Sequence, residues 1–128
     1  NRIAGYPDVM GALTARTALG PARLSVTARH VGRLYLDNSE DNRRDPAARA
    51  EPGYLSRTNP AFTVIDAALS AELPRAWSGK LGASRLGLEL RINNLLDRRY
   101  PAFGYVDGEP LFIPAATRAA YAGLTIGL

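Results

Sequence analysis

Apolar and polar residues alternate with a period of two along most of this chain, and no other feature limits its fold so strongly. In residues 85–93 the even positions are Leu86, Leu88, Leu90 and Ile92, and the odd ones are Arg85, Gly87, Glu89, Arg91 and Asn93. A strand sends alternate side chains to opposite faces, so this stretch has one apolar and one polar face; a helix would mix the two sets. Residues 63–73 repeat the pattern, with Ile65, Ala67, Leu69 and Leu73 against Asp66, Ser70 and Glu72. So do residues 22–36, with Leu24, Val26, Ala28 and Leu34 against Arg23, Ser25, Thr27 and Arg29, and residues 120–128, with Ala122, Leu124, Ile126 and Leu128 against Tyr121, Gly123, Thr125 and Gly127. In residues 8–19, Leu13, Ala15 and Leu19 oppose Thr14 and Arg16, and an Ala-rich helix fits as well. The expected architecture is all-β, an antiparallel meander of about five amphipathic strands.

The connections alternate in length. Gly20-Pro21 is a tight turn and 74–80 a short one, while 37–59 and 98–112 read as longer loops, the second rich in proline, glycine and aromatics. The chain does not begin with methionine, and its start has no basic segment followed by an apolar run, so it reads as a piece of something longer rather than as a leader.

Composition removes several function classes. With 128 residues the chain suits one domain. It has no cysteine, hence no disulfide, thiolate metal site or cysteine nucleophile, and its one histidine, His30, makes no zinc site alone. The net charge of +4 comes from arginines interleaved with acids, without the basic run expected of a nucleic-acid binder. No stretch approaches the roughly 18–20 apolar residues of a spanning helix. Nucleophile elbow, phosphate-binding glycine loop and dinucleotide fingerprint are all missing, so the chain does not read as an enzyme and implies no cofactor. Asp66, Glu72, Glu89 and Arg91 are better read as mutually satisfied strand charges than as acid–base groups. The acidic run at 37–45 has calcium-type oxygens, but neither the spacing nor the glycine of a calcium loop.

An amphipathic meander has two physical solutions. In a soluble sandwich the apolar face packs on a second sheet; such a domain would bind a macromolecule. In an outer-membrane barrel the apolar face meets lipid and the polar face lines the lumen. Strands of about 9–11 residues, full charges in mid-strand, and aromatics near strand ends favour lipid. Five strands are too few to close, since the smallest membrane barrels have about eight, and open edges in hydrocarbon would leave backbone groups unpaired. A lipid-facing chain must therefore belong to a larger barrel.

The stretch "LRINNLLDRRYPAFGY" (90–105) resembles the signature near the C-terminus of TonB-dependent outer-membrane receptors, in which an Asn-Leu-Leu/Phe-Asp-aromatic pattern precedes the last extracellular loop. Asn94, Leu95, Leu96, Asp97 and Tyr100 carry the match. "FTVIDAAL" (62–69) resembles the family's preceding strand. "FIPAATR" (112–118), with Arg118, resembles the entry to its final strand. "YAGLTIGL" is similar to its C-terminal insertion signal through Tyr121, Gly123, Ile126 and Leu128, although Leu128 stands where Phe or Trp is usual.

The resemblance implies that residues 1–128 are the C-terminal segment of a 22-stranded transmembrane β-barrel in the bacterial outer membrane. It implies active import of siderophore-iron, cobalamin or a similar scarce nutrient. The partners are outer-membrane lipid, the barrel assembly machinery, the metal-chelate or nutrient ligand, and, through segments outside this sequence, the receptor's own plug domain and TonB. Loops 37–59 and 98–112 would then be extracellular. In them Arg43, Arg44, Tyr54, Phe103 and Tyr105 are the candidate ligand contacts, arginines for an anionic chelate and aromatics for its rings. Asn94 is expected to shape the strand exit, as asparagine tolerates left-handed backbone and bonds nearby peptide groups. The alternatives are another outer-membrane barrel, enzyme or adhesin, and the soluble β-sandwich.

Overall fold

The computed structural model describes residues 3–37 and 45–128. Among them the chain is all-β, with β1 (Met10–Leu19), β2 (Ala22–Val31), β3 (Leu34–Tyr35), α1 (Pro46–Ala50), β4 (Thr58–Asn59), β5 (Phe62–Glu72), α2 (Arg75–Lys80), β6 (Arg85–Asn93), β7 (Pro101–Asp107), β8 (Glu109–Pro114) and β9 (Ala119–Gly127). Strands β1, β2, β5, β6 and β9 form one five-stranded antiparallel sheet in that order, so its neighbours follow one another along the chain. These are the five alternating stretches.

Two compact units emerge. The first, residues 12–29, 64–98 and 117–128, contains the body of the five-stranded sheet. Its register joins the faces read from sequence. Leu69 lies opposite Leu90 and Leu90 opposite Ala122; Ala71 opposite Leu88 and Leu88 opposite Leu124; Leu86 opposite Ile126. Directly opposed residues share a face, so one side of the sheet is continuously apolar. That side is largely open: Leu90 is 39%, Leu124 59% and Ile126 52% exposed. Buried apolar residues in this unit are few, namely Val64, Ala83 and Leu86.

Residues 74–80, expected as a turn, instead contain α2, which follows Pro74 (φ −56°) and packs on β6. Proline's fixed φ suits a helix entry. The helix ends in backbone bonds from Leu81 to Ser78 and from Gly82 to Gly79. Within residues 8–19, Met10–Leu19 form a strand rather than the Ala-rich helix; pairing with β2 overrides helix propensity, and Thr14 Oγ1 lies 3.0 Å from Thr27 Oγ1.

The second unit comprises the described parts of 1–11, 30–63 and 99–116. Residues 22–36 do not form one strand. The Gly32 N–H donates to Val9 O at 2.7 Å, so close that a Cβ on Gly32 would stand 2.8 Å from that oxygen. Beyond it, β3 pairs with β4, Leu34 opposite Asn59 and Tyr35 opposite Thr58. Residues 37–59 are therefore not purely loop, since α1 and β4 lie within them. Residues 98–112 are a second correction. They contain most of a hairpin, β7–β8, whose turn carries Asp107-Gly108 with Gly108 at φ +71°. Asp-Gly between apolar runs is a hairpin signal. Gly104 admits the Leu36 side chain, because a Cβ there would meet Leu36 Cδ2 at 2.8 Å. Asn59 Nδ2 donates to Pro101 O at 3.0 Å, tying β4 to β7, and Phe62 stacks on Tyr100 with ring centres 4.0 Å apart.

Candidate functional site

The polar face of the five-stranded sheet concentrates its charge. Ser70, Glu89 and Gly123 lie side by side across β5, β6 and β9, as do Glu72, Gly87 and Thr125. Each carboxylate on this face has an arginine: Asp66 with Arg29 at 2.8 Å, Glu72 with Arg85 at 2.6 Å, Glu89 with Arg91 at 3.0 Å. The four residues weighed as acid–base groups are thus engaged in ion pairs. Most of these groups are more than half exposed, so each pair contributes little to stability, and their worth lies in patterning the surface. Two open hollows of about 450 and 460 Å³ lie along this face and share Arg23, Ser70 and Glu89.

The strand exit after β6 is the second element. Pairing with β9 runs to Asn93 opposite Ala119. Asn94 then takes φ +52° and Asp97 φ +51°, two left-handed residues that are not glycine. Asn94 is 3% exposed. Its Oδ1 accepts the Arg98 N–H and its Nδ2 donates to Arg98 O, both at 2.9 Å. The Asp97 N–H donates back to Asn94 O at 2.9 Å, closing a β-turn in which Leu95 and Leu96 are central. Asparagine does this because its short amide mimics a peptide group and tolerates left-handed backbone. The exit is a turn, and the Asn94 side chain is folded into it.

Asp66 was read only as a face charge, and the structure gives it a further task. Its Oδ1 accepts the Asn94 N–H at 2.9 Å while its Oδ2 holds Arg29. The Leu95 N–H donates to Ile65 O at 2.7 Å. Asp97 Oδ1 accepts the Arg118 N–H at 2.8 Å, so Arg118 takes part through its backbone. One hydrogen-bonded chain therefore links β2, β5, the end of β6 and the approach to β9. The spacing of Asp66 and Asn94 along the sequence carried no signal of this contact; only strand pairing brings them together.

Of the proposed ligand contacts, Arg43 and Arg44 lie outside the described residues. Tyr54 is half-buried, its N–H bonded to Glu51 O at 3.1 Å. Phe103 and Tyr105 stack along one side of β7 with ring centres 6.3 Å apart, 51% and 42% exposed. His30 Nδ1 lies 2.9 Å from Thr63 Oγ1. Tyr121, Gly123 and Ile126 fall in β9 and Leu128 just beyond it, fully exposed. Among the described residues, no group of three acidic, histidine or cysteine side chains is placed to hold a metal, and no helix is long and apolar enough to cross a membrane. No protein-family model matches the chain, and no curated protein or solved structure matches it.

Proposed function

We propose that the chain supplies the C-terminal strands of a TonB-dependent outer-membrane receptor, a 22-stranded barrel that imports siderophore-iron, cobalamin or a similar nutrient with energy delivered through TonB. The observation that carries this reading is the continuous apolar face of β5, β6 and β9, open at Leu90, Leu124 and Ile126, set against a paired-charge face on the same strands. A soluble sheet with Leu90, Leu124 and Ile126 this open would be an aggregation surface. Facing hydrocarbon, the same residues are in their preferred solvent. The edge strands β1 and β9 support the reading further, since pairing with other strands of the barrel would satisfy them. The motif from Asn94 to Tyr100 supplies the family. In this reading β7–β8 and the loop after β3 are extracellular, Gly20-Pro21 and α2 are periplasmic, and the chain does no chemistry of its own.

Single cysteines test it, because this chain has none of its own. In the complete protein in native membranes, cysteines replacing Leu88, Leu90 and Leu124 should react with a lipid-phase maleimide. Cysteines replacing Glu89, Gly123 and Thr125 should react only with a water-soluble one. Protection of the apolar set from both reagents would instead describe a sandwich core. Loss of nutrient uptake on deleting the gene, with the barrel-faced pattern intact, separates a receptor from a barrel enzyme or adhesin.

A further inference from the structure

The second unit holds a hollow of about 750 Å³ that shares no lining residue with the hollows of the charged face, nor with Tyr54, Phe103 and Tyr105. Backbone pairing builds it. Pro7 bridges Leu34, and the Asp8 N–H donates to Arg33 O at 3.0 Å, so the segment before β1 runs antiparallel to the approach to β3. On β3, Leu34 also lies opposite Asn59 of β4. Asp8, Arg33, His30, Ser56 and Thr58 thereby line one hollow, beside the carbons of Val9, Pro60 and Ala61. The Arg33 guanidinium has no partner among the described residues. His30 uses Nδ1 on Thr63 Oγ1, and its Nε2 has no partner among them either. The Ser56 and Thr58 hydroxyls lie 2.7 Å apart, and whichever accepts from the other keeps its own O–H to donate.

We infer that this hollow binds a neutral saccharide. The choice follows from its charge and its donors. Asp8 and Arg33 offset one another, so a phosphate drawn to the guanidinium meets the carboxylate, and an amine drawn to the carboxylate meets the guanidinium. A ligand that suits both must accept and donate through the same groups, and a hydroxyl does both. Adjacent hydroxyls of a sugar ring match the forked donors of Arg33 on one side and the paired oxygens of Asp8 on the other. Ser56, Thr58 and His30 Nε2 meet further hydroxyls, while Val9, Pro60 and Ala61 take the C–H face of the ring. The inference goes beyond the receptor reading and does not depend on what covers the sheet. It leaves two sources for the sugar, a free saccharide or the headgroup of a glycolipid.

The experiment uses the complete folded protein and saturation-transfer NMR. One arm presents free glucose, galactose, mannose, maltose and lactose, with glucose 6-phosphate and glucosamine as charged counterparts. The other presents phosphatidylcholine bicelles with and without digalactosyldiacylglycerol. At least one neutral sugar should receive magnetisation and bind more tightly than the charged counterparts. Transfer to a free sugar marks a soluble ligand, and transfer to the headgroup sugar alone marks a lipid-borne one. Arg33→Ala and Asp8→Ala should each weaken the binding about tenfold, with the far-UV β signal unchanged. Arg33→Lys should recover only part of it, since an ammonium lacks the forked donors. Ser56→Ala, at an exposed position away from the paired backbone of residues 7–9 and 32–34, probes the same hollow independently and should weaken binding several-fold. No transfer to any neutral sugar in either arm overturns the inference. So does tighter binding of glucose 6-phosphate or glucosamine, or an affinity that ignores the substitutions at 8, 33 and 56.

Discussion

The side-chain amide of Asn94 forms a closed pair of hydrogen bonds with the peptide of Arg98, Oδ1 accepting and Nδ2 donating at 2.9 Å each. This reproduces a backbone pairing where the chain has left the sheet. It fixes the angle at which the chain leaves β6, and through Asp97 and the Arg118 N–H it also fixes where β9 begins.

Asn94 should therefore be poorly replaceable. Asn94→Ala removes both bonds and leaves a Cβ residue at φ +52°. Together these cost about 2–4 kcal/mol. Asn94→Gly relieves the backbone but not the bonds, and should cost about half as much. The check is the temperature at which the folded band is lost in semi-native gels. If alanine and glycine were equivalent, the left-handed conformation would not matter at this position.

Asp66 separates charge from hydrogen bonding. Asp66→Asn keeps an oxygen for the Asn94 N–H and loses only the pair with Arg29, whose side chain is 56% exposed. That loss should stay under about 1 kcal/mol. Asp66→Leu strands the N–H beside a buried Asn94 and should cost about 1–3 kcal/mol. Urea midpoints of the folded protein in vesicles test the order; equal midpoints for both variants would remove Asp66 from the turn.

How much of this was legible follows from the range of each signal. The alternation around Leu88, Glu89 and Leu90 is local, so the five strands and their two faces could be read directly. Strand pairing follows only from topology, and with it the Asp66–Asn94 contact stayed hidden. The hairpin β7–β8 was missed for another reason. Its prolines, 101, 110 and 114, resemble loop punctuation, yet they sit at strand ends or opposite one another, where a missing N–H is tolerated. Likewise Pro74 read as a turn, although the same fixed φ opens α2.

On the apolar face, Leu90→Arg should destabilise the barrel by about 2–4 kcal/mol, the cost of an arginine near mid-membrane. Its neighbour gives the control: Glu89→Gln removes a charge from the opposite face and only an exposed pair with Arg91, so the urea midpoint should barely move. Equal tolerance of both changes would contradict a lipid-facing Leu90.

Ligand contact by the loops predicts that Phe103→Ala with Tyr105→Ala, which removes the exposed stacked pair, weakens uptake of the receptor's nutrient about tenfold at limiting concentration. Radiolabelled ferric catecholate, ferric hydroxamate and cobalamin form the test panel in whole cells. Adding Arg43→Ala, Arg44→Ala and Tyr54→Ala should deepen the defect for an anionic chelate. Unchanged uptake in the five-fold variant would remove these residues as contacts.

Strand β9 yields the last prediction. Tyr121 and Gly123 lie opposite Arg91 and Glu89 on the polar face, while Leu124 and Ile126 lie opposite Leu88 and Leu86 on the apolar one. Its second edge pairs with nothing in the described sheet, so closure of a barrel has to recruit it. Leu128→Asp, and deletion of 121–128, should each block assembly rather than ligand recognition. Leu128 is fully exposed and stands just beyond β9, so Leu128→Asp breaks no packing contact among the described residues. A severe loss of folded barrel in that variant must then come from lost insertion signalling or from failed pairing of the free edge of β9 on closure. The deletion adds loss of the β6–β9 ladder. Heat-modifiable migration in outer-membrane fractions reads both. Normal barrel levels with Leu128→Asp alone would show that this position is not needed for assembly, and normal levels in the deletion would remove the whole stretch as an insertion signal, and with it much of the case for the receptor family.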